Sequence, residues 1–155
     1  MAITEENKQI QDISFPETQK ERFRIDGDNN RIVELNTSDM GIVKRIGKIM
    51  PKLNKLANVA TLMIPEDATE EESMNMIGDK IAEIDMQMRS LINELFDSEV
   101  DVACAPDGTM FDMFNGQFRF ELIIERLGKL YGDNFEREIG KVNKRIDKHT
   151  NKYTN

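Results

Sequence analysis

Residues 74–95 read MNMIGDKIAEIDMQMRSLINEL, and this stretch decides the fold. Its apolar residues recur at spacings of 3, 4, 3, 4, 3 and 4, a pattern that places one narrow apolar seam along a helix. The seam consists of Met74, Ile77, Ile81, Ile84, Met88, Leu91 and Leu95. It predicts an amphipathic helix over Met74–Leu95 and, with it, a mainly helical protein.

Two interpretations of the seam are open. It can be the core face of a helix in a small bundle, which is the usual role of such a pattern. Part of it can instead bind a partner, because Met74, Met76, Met86 and Met88 are flexible thioether chains that adapt to varied apolar surfaces. Both interpretations can hold on different parts of one stripe, so the seam is a candidate partner-binding surface.

The N-terminal region divides into an arm and a hairpin. Residues 1–21 are polar with few apolar side chains, which predicts a flexible arm whose Ile10, Ile13 and Phe15 could anchor on a partner. Apolar residues then alternate on both sides of the five residues 26–30, DGDNN, which predicts a β-hairpin at 22–35. Residues 22–155 are expected to form a single domain.

Two further helical regions are predicted. One begins after Asn36–Asp39, and Pro51 either kinks it or divides it into two helices meeting near Met50. The other follows Asn115–Gly116; Gly132 is expected to end its first helix, and Asp133 or Asn134 to cap a last one. The expected fold is therefore mainly α, a small bundle of about four helices with a short N-terminal β-hairpin.

Charge narrows the possible partners. The chain carries 21 Lys and Arg against 29 Asp and Glu, a net charge of -8, which opposes binding to nucleic acid and to anionic membranes. No apolar run is long enough to cross a bilayer, and the first residues do not resemble a secretory signal. We expect a protein of the cytoplasm without nucleic-acid or membrane partners.

Basic residues are nevertheless concentrated near the end of the chain. Between residues 66 and 101 there are twelve acids against Lys80 and Arg89, whereas residues 141–152 hold five basic residues against Asp147. Opposite charges on different helices predict attraction within one molecule or between copies. The candidate basic contact face consists of Lys141, Lys144, Arg145 and Lys148.

The sequence offers little for catalysis. Cys104 is the only cysteine and His149 the only histidine, and neither has the local neighbours that activate a nucleophile or a general base. Abundant carboxylates without histidine ligands do not define a metal site, and there is no phosphate-binding glycine loop. We therefore predict a non-enzymatic protein without a cofactor or metal.

Three stretches resemble a group of small phage and prophage proteins of Gram-positive bacteria, the tail assembly chaperones and tail-associated proteins. They are RFRIDGDNNRIVELNTSDMGIVKRI at 22–46, VACAPDGTMFDMFNGQFRFELIIERLGKLY at 102–131 and VNKRIDKHTNKYT at 142–154. The resemblance implies a factor of the bacterial host cytoplasm that holds the tape measure protein during virion morphogenesis. It supplies no catalytic residues.

Two other roles remain open at this stage. A structural tail or head-tail component retained in the virion would use the same helices for permanent contacts, and self-association is possible. A small acidic regulator would bind a host protein, with the acidic segment 66–101 imitating the charge of nucleic acid.

Overall fold

The structure, a computed structural model, describes residues 9–17, 19–63 and 71–151, without the side chains of residues 72, 73 and 147–151. Residues 9–17 of the predicted arm have no regular structure and are exposed. Residues 1–8 and 18 of that arm lie outside the described residues. None of the helices in the described ranges is both long enough and apolar enough to cross a membrane.

The predicted N-terminal hairpin is confirmed. Strand β1 (Glu21–Ile25) pairs antiparallel with β2 (Asp28–Leu35), and Phe23 lies opposite Val33. The connection is tighter than the five residues predicted, because Asp26 and Gly27 alone form the turn, with φ of 52° and 71°. Two positive φ values are those of the hairpin turn that matches strand twist, and Asp-Gly is a preferred pair for it.

Helix α1 (Gly41–Leu62) runs through Pro51 as one element of 22 residues, so the alternative of two helices meeting near Met50 is wrong. Its buried residues recur along one face and pack into the core, which offsets the backbone hydrogen bond that proline removes. They are Ile42, Ile49, Leu53, Ala57 and Ala60.

The decisive helix is confirmed as α2 (Glu71–Phe96), 26 residues long. The segment between this helix and the last one contains a four-residue helix, α3 (Asp101–Cys104), and two short paired strands. These strands are β3 (Met113–Phe114) and β4 (Gln117–Phe118).

The last region differs from the expectation. A single helix of 33 residues, α4 (Arg119–Asn151), replaces the two helices predicted to meet at Gly132. Gly132 does not have the positive φ of a helix-ending glycine. Asn134 caps nothing; it is buried within α4, and its Nδ2 donates hydrogen bonds to the Thr37 carbonyl (3.1 Å) and to Ser38 Oγ (3.2 Å). A mid-helix glycine costs only about 1 kcal/mol, which packing around it can offset.

The core is built from one face of β2 and one face of each long helix. Val33 and Leu35 of β2 are fully buried, as are Met88 and Ile92 of α2, while Phe120 of α4 is 1% exposed. The described chain is thus a mainly α small bundle with an N-terminal hairpin, as the sequence predicts.

Asp39 joins the start of α1 to the end of α2. Its Oδ1 accepts a hydrogen bond from the Gly41 N–H (2.9 Å), and its Oδ2 accepts one from Arg45 Nη2 (2.9 Å). Arg45 Nε also donates to the Leu95 carbonyl (2.8 Å), one of the last carbonyls of α2. Burial raises the pKa of Asp39, but the hydrogen bonds from Arg45 and Gly41 more than offset it, so the pKa lies below the ordinary 3.8.

A lowered folded-state pKa makes stability depend on pH. The contribution of the Asp39 carboxylate is present above its ordinary pKa and is lost as the pH falls through the folded-state value. We expect Asp39→Asn to lower the free energy of unfolding by roughly 1 kcal/mol at neutral pH, and the difference from the unsubstituted chain to shrink as the pH falls from neutral to below the ordinary pKa of 3.8.

Urea denaturation across this pH range measures the effect. Asp107→Asn, at an exposed residue, is the matched control and should leave the pH profile unchanged. A constant difference between Asp39→Asn and the unsubstituted chain would show that the charge of Asp39 does not stabilise the fold.

Candidate protein-binding surfaces

The structure divides the predicted seam into two halves. Ile84, Met88 and Leu95 are buried in the core, and Leu91 is half-buried. Toward the start of α2 the seam opens: Ile81 and Ile77 are half-buried, and Met74 is 43% exposed. Within the described residues, the C-terminal half therefore supplies most of the seam's buried side chains, and the N-terminal half exposes more apolar surface to a partner. We call Met74, Ile77 and Ile81 the open seam.

Two core residues of α2 lie outside the predicted seam. Ile92 is fully buried and Phe96 is 2% exposed, each one position after a seam residue. They widen the narrow seam into the broad apolar face of a globular helix. The sequence contains a signal for this broader face, because Leu91-Ile92 and Leu95-Phe96 are both adjacent apolar pairs.

Helix α4 ends in a second open stripe. Ile139, Val142 and Ile146 recur at spacings of three and four, and they are 50%, 41% and 51% exposed. All three lie beyond Asn134, the last residue of α4 that is buried in the described structure. We call these three residues the α4 stripe. The apolar period of α4 thus continues past the core that would cover it.

The candidate basic contact face lies on the same part of α4. Lys141, Lys144 and Arg145 are exposed, and the Lys141 Nζ lies 3.6 Å from Glu138 Oε1. The side chain of Lys148 lies outside the described residues. Exposed ion pairs contribute little to stability, so these cations can exchange partners at low cost.

One carboxylate of the acidic segment 66–101, that of Asp85, has a structural role. Arg89 Nε donates to Asp85 Oδ2 (2.8 Å), while its two terminal nitrogens donate to the carbonyls of Ala105 (3.1 Å) and Gly108 (3.0 Å). Asp85 Oδ1 in turn accepts from the Met110 N–H (2.7 Å). This pair therefore fixes the segment after α3 against α2.

The environment of Arg89 keeps it charged. Burial lowers its pKa, but the hydrogen bond and charge of Asp85 and the charge of Asp101 outweigh burial and raise the pKa above its usual value. Asn93 completes the arrangement, since its Oδ1 accepts from the N–H of Val100 (2.9 Å) and its Nδ2 donates to Asp101 Oδ1 (2.9 Å). The side chains of Asp85, Arg89 and Asn93 on α2 are thus paired with this segment or with one another, which indicates a structural network. The sequence signal for it is the Asp85–Arg89 spacing of four on one helix face.

Cys104, the only candidate nucleophile, lies at the end of α3. Burial raises the pKa of its thiol to about 11; the charges of Arg31 and Arg119 act in the opposite direction and do not compensate. At neutral pH the thiol is protonated and therefore a poor nucleophile. The side chain of His149 lies outside the described residues, and no group of three or more His, Cys, Asp or Glu within the described ranges is arranged to hold a metal ion.

A raised thiol pKa predicts slow alkylation. We expect iodoacetamide to modify Cys104 at pH 8 on the order of a hundredfold more slowly in the folded chain than in the urea-unfolded chain, because the thiolate fraction differs by about that factor. The rate in the folded chain should rise about tenfold per pH unit up to about pH 10. Mass spectrometry of quenched samples measures both, and rapid modification at pH 7 would contradict the buried, neutral thiol.

Comparisons with protein-family models, with curated proteins and with solved structures found no match to this chain. The described surface offers two apolar stripes, the open seam and the α4 stripe. The α4 stripe lies on the same part of α4 as the basic contact face.

Proposed function

We propose that this chain is a phage tail assembly chaperone, a non-catalytic factor that holds the tape measure protein in the host cytoplasm while the tail is built. The observation that carries the proposal is the α4 stripe, an apolar surface on a helix end that lies beyond the protein's own core. The resemblance of residues 22–46, 102–131 and 142–154 to phage tail proteins supports the particular partner.

The shape of α4 suits a helical partner. The part beyond Asn134 is about 25 Å long at 1.5 Å per residue. Its apolar residues follow the three-and-four spacing by which helices pack along a seam. A tape measure protein, which is long and prone to form coiled coils, would present apolar residues at the same spacing. Packing on such a helix would also stabilise an end that has little tertiary support of its own.

The open seam would add an adaptable second contact. Met74 lies at its tip and is 43% exposed. Methionine side chains repack against different apolar surfaces, which favours moderate affinity over tight complementarity. A chaperone needs such affinity because tail tube subunits must displace it. The exposed Lys141, Lys144 and Arg145 would select acidic stretches of the partner.

Two other functions are the alternatives to this proposal. A structural tail or head-tail component would bury the α4 stripe permanently in the particle. A small acidic regulator would bind a host protein through the acidic residues of α2. The three roles differ in when the partner is bound and in which partner it is.

Particle composition tests the chaperone role. We expect the chain to co-purify with the tape measure protein from infected cells and to be missing from washed mature particles. Quantitative mass spectrometry of both fractions measures this. Stoichiometric amounts in mature particles would favour the structural component, and capture of a host protein in the absence of other phage products would favour the regulator.

Charge substitutions on the open stripes test the contact surface. Ile139→Asp and Met74→Asp each place a carboxylate on apolar surface that a partner would bury. We expect each to weaken capture of the tape measure protein at least about tenfold, or about 1.4 kcal/mol, with the free energy of unfolding changed by less than about 0.5 kcal/mol.

Asn75→Asp is the matched control, because it adds the same charge at an exposed position of α2 on the side away from the open seam. Pull-down with a purified tape measure fragment and circular dichroism melting give the two readouts. Unchanged capture by both stripe variants would remove the stripes from the binding surface.

A further inference from the structure

A basic cavity lies at the turn end of the hairpin, where β1 and β2 face the first turns of α4. Its volume is about 390 Å³, within the range of pockets that hold a small ligand or a few side chains. Four of its lining residues are arginines, and the single acid among the lining residues is Asp26. The four are Arg24, Arg31, Arg119 and Arg126. In a chain of net charge -8, the cavity is thus a local concentration of positive charge.

The charges of this cavity are only partly neutralised. Arg31 Nη1 lies 3.3 Å from Asp26 Oδ2, and Arg119 Nη2 lies 3.4 Å from Asp112 Oδ2. Arg24 and Arg126 form no ion pair with any residue in the described ranges and are exposed at the rim. Two cations without counter-charge are therefore left facing one opening.

One nitrogen of Arg119 also lacks a hydrogen-bond acceptor. Its Nη1 donates to the Cys104 carbonyl at 3.4 Å, and its guanidinium carbon lies 4.9 Å from the centre of the Phe114 ring. Its Nε, however, is buried and has no hydrogen-bond partner in the described structure. Buried donors are nearly always satisfied, so this unpaired Nε adds to the unbalanced positive charge beside the opening.

The walls of the cavity restrict the kind of anion. Ile25, Phe114, Leu122 and Leu127 contribute apolar surface between the arginines. A carboxylate carried next to apolar side chains would satisfy both parts. A nucleic-acid backbone would not, because it offers no apolar side chains and would be repelled by the rest of this acidic chain.

The N-terminal arm of the chain has that chemistry. Three apolar side chains of the arm are exposed and lie outside the core: Ile10 (70%), Ile13 (78%) and Phe15 (79%). In an extended segment every second residue points to the same side, so Ile13, Phe15 and Glu17 share one face. That face joins two large apolar side chains to one carboxylate, as the cavity requires.

We propose that the arm of a second copy of this chain occupies the cavity, with Phe15 against the apolar walls and Glu17 between Arg24 and Arg126. The base of the arm is held at the opposite end of the hairpin, where Lys20 Nζ donates to the Asp97 carbonyl (3.1 Å). From Lys20 to Ile13 the extended chain spans up to about 24 Å, enough to reach a neighbouring molecule. Reciprocal exchange of arms produces a closed, two-fold symmetric dimer. This inference is independent of the proposed tail assembly role.

Analytical ultracentrifugation of the full chain tests the exchange. We expect the unsubstituted chain to form dimers that dissociate on dilution and weaken as salt is raised. Arg126→Glu and Phe15→Asp should each raise the dimer dissociation constant at least about tenfold, because one reverses a rim charge and the other places a charge against apolar walls. Lys48→Glu, an exposed charge reversal on α1 outside the cavity, and Ser14→Asp, on the opposite side of the arm, are matched controls and should dimerise normally.

Mixing variants separates exchange between copies from docking within one molecule. The Phe15→Asp chain keeps an intact cavity, and the Arg126→Glu chain keeps an intact apolar arm. We expect equimolar mixing to restore part of the dimer signal, since one arm and one cavity match across the mixed pair. Circular dichroism melting confirms that the variants are folded.

Four results would overturn the proposal. They are a monomeric unsubstituted chain at all accessible concentrations, dimers that persist in both test variants, dimers lost equally in the controls, and no recovery on mixing two folded variants. A monomeric chain would not count against the tail assembly role, because capture of the tape measure protein tests that role.

Discussion

Burial of the C-terminal half of α2 is the constraint on which the remaining structure depends. Met88, Ile92 and Leu95 are fully buried, and the hairpin, α1 and α4 contribute the apolar residues of the same core. Fully burying side chains of this size contributes about 1.5–3 kcal/mol each, which is large against the net stability of a small domain. The hairpin, α1 and α4 therefore each contribute side chains that cover this half of one helix.

Apolar burial alone does not hold the irregular segment between α3 and α4. Arg89 donates a hydrogen bond to the Ala105 carbonyl, and Asp85 accepts one from the Met110 N–H. Backbone groups of this segment are therefore paired near the core. Removing one partner would leave a buried charge and unpaired backbone groups, which costs several kcal/mol. The acidic character of α2 is therefore partly structural, and its net charge is not by itself a sign of mimicry or ligand binding.

The surfaces available for binding are those the core does not reach. The open seam and the α4 stripe continue apolar patterns whose other halves are buried, and the arm carries three large apolar side chains in the open. In each of these segments, apolar residues continue along the chain past the point where the core buries them. Such surfaces favour protein partners, because helices and extended segments of another chain can continue the same packing.

Local pattern and tertiary contact each explain different parts of this protein. The period of α2 and the hairpin depend on residues a few positions apart, so the sequence by itself determined them. The sequence predicted a five-residue connection in the hairpin, whereas the structure turns on Asp26 and Gly27 alone. The sequence could not show which half of the seam is buried. Nor could it show that α4 continues through Gly132, because packing of Asn134 on the segment before α1 outweighs a small glycine penalty.

The arginine cavity was beyond reach of the sequence for the same reason. Arg24 and Arg126 are separated by about a hundred residues, and only the path of the folded chain brings them to one opening. Hydrogen bonding and charge within a helix turn are local properties that a sequence displays. Contacts between distant elements depend on how whole faces pack, and tertiary structure alone decided them.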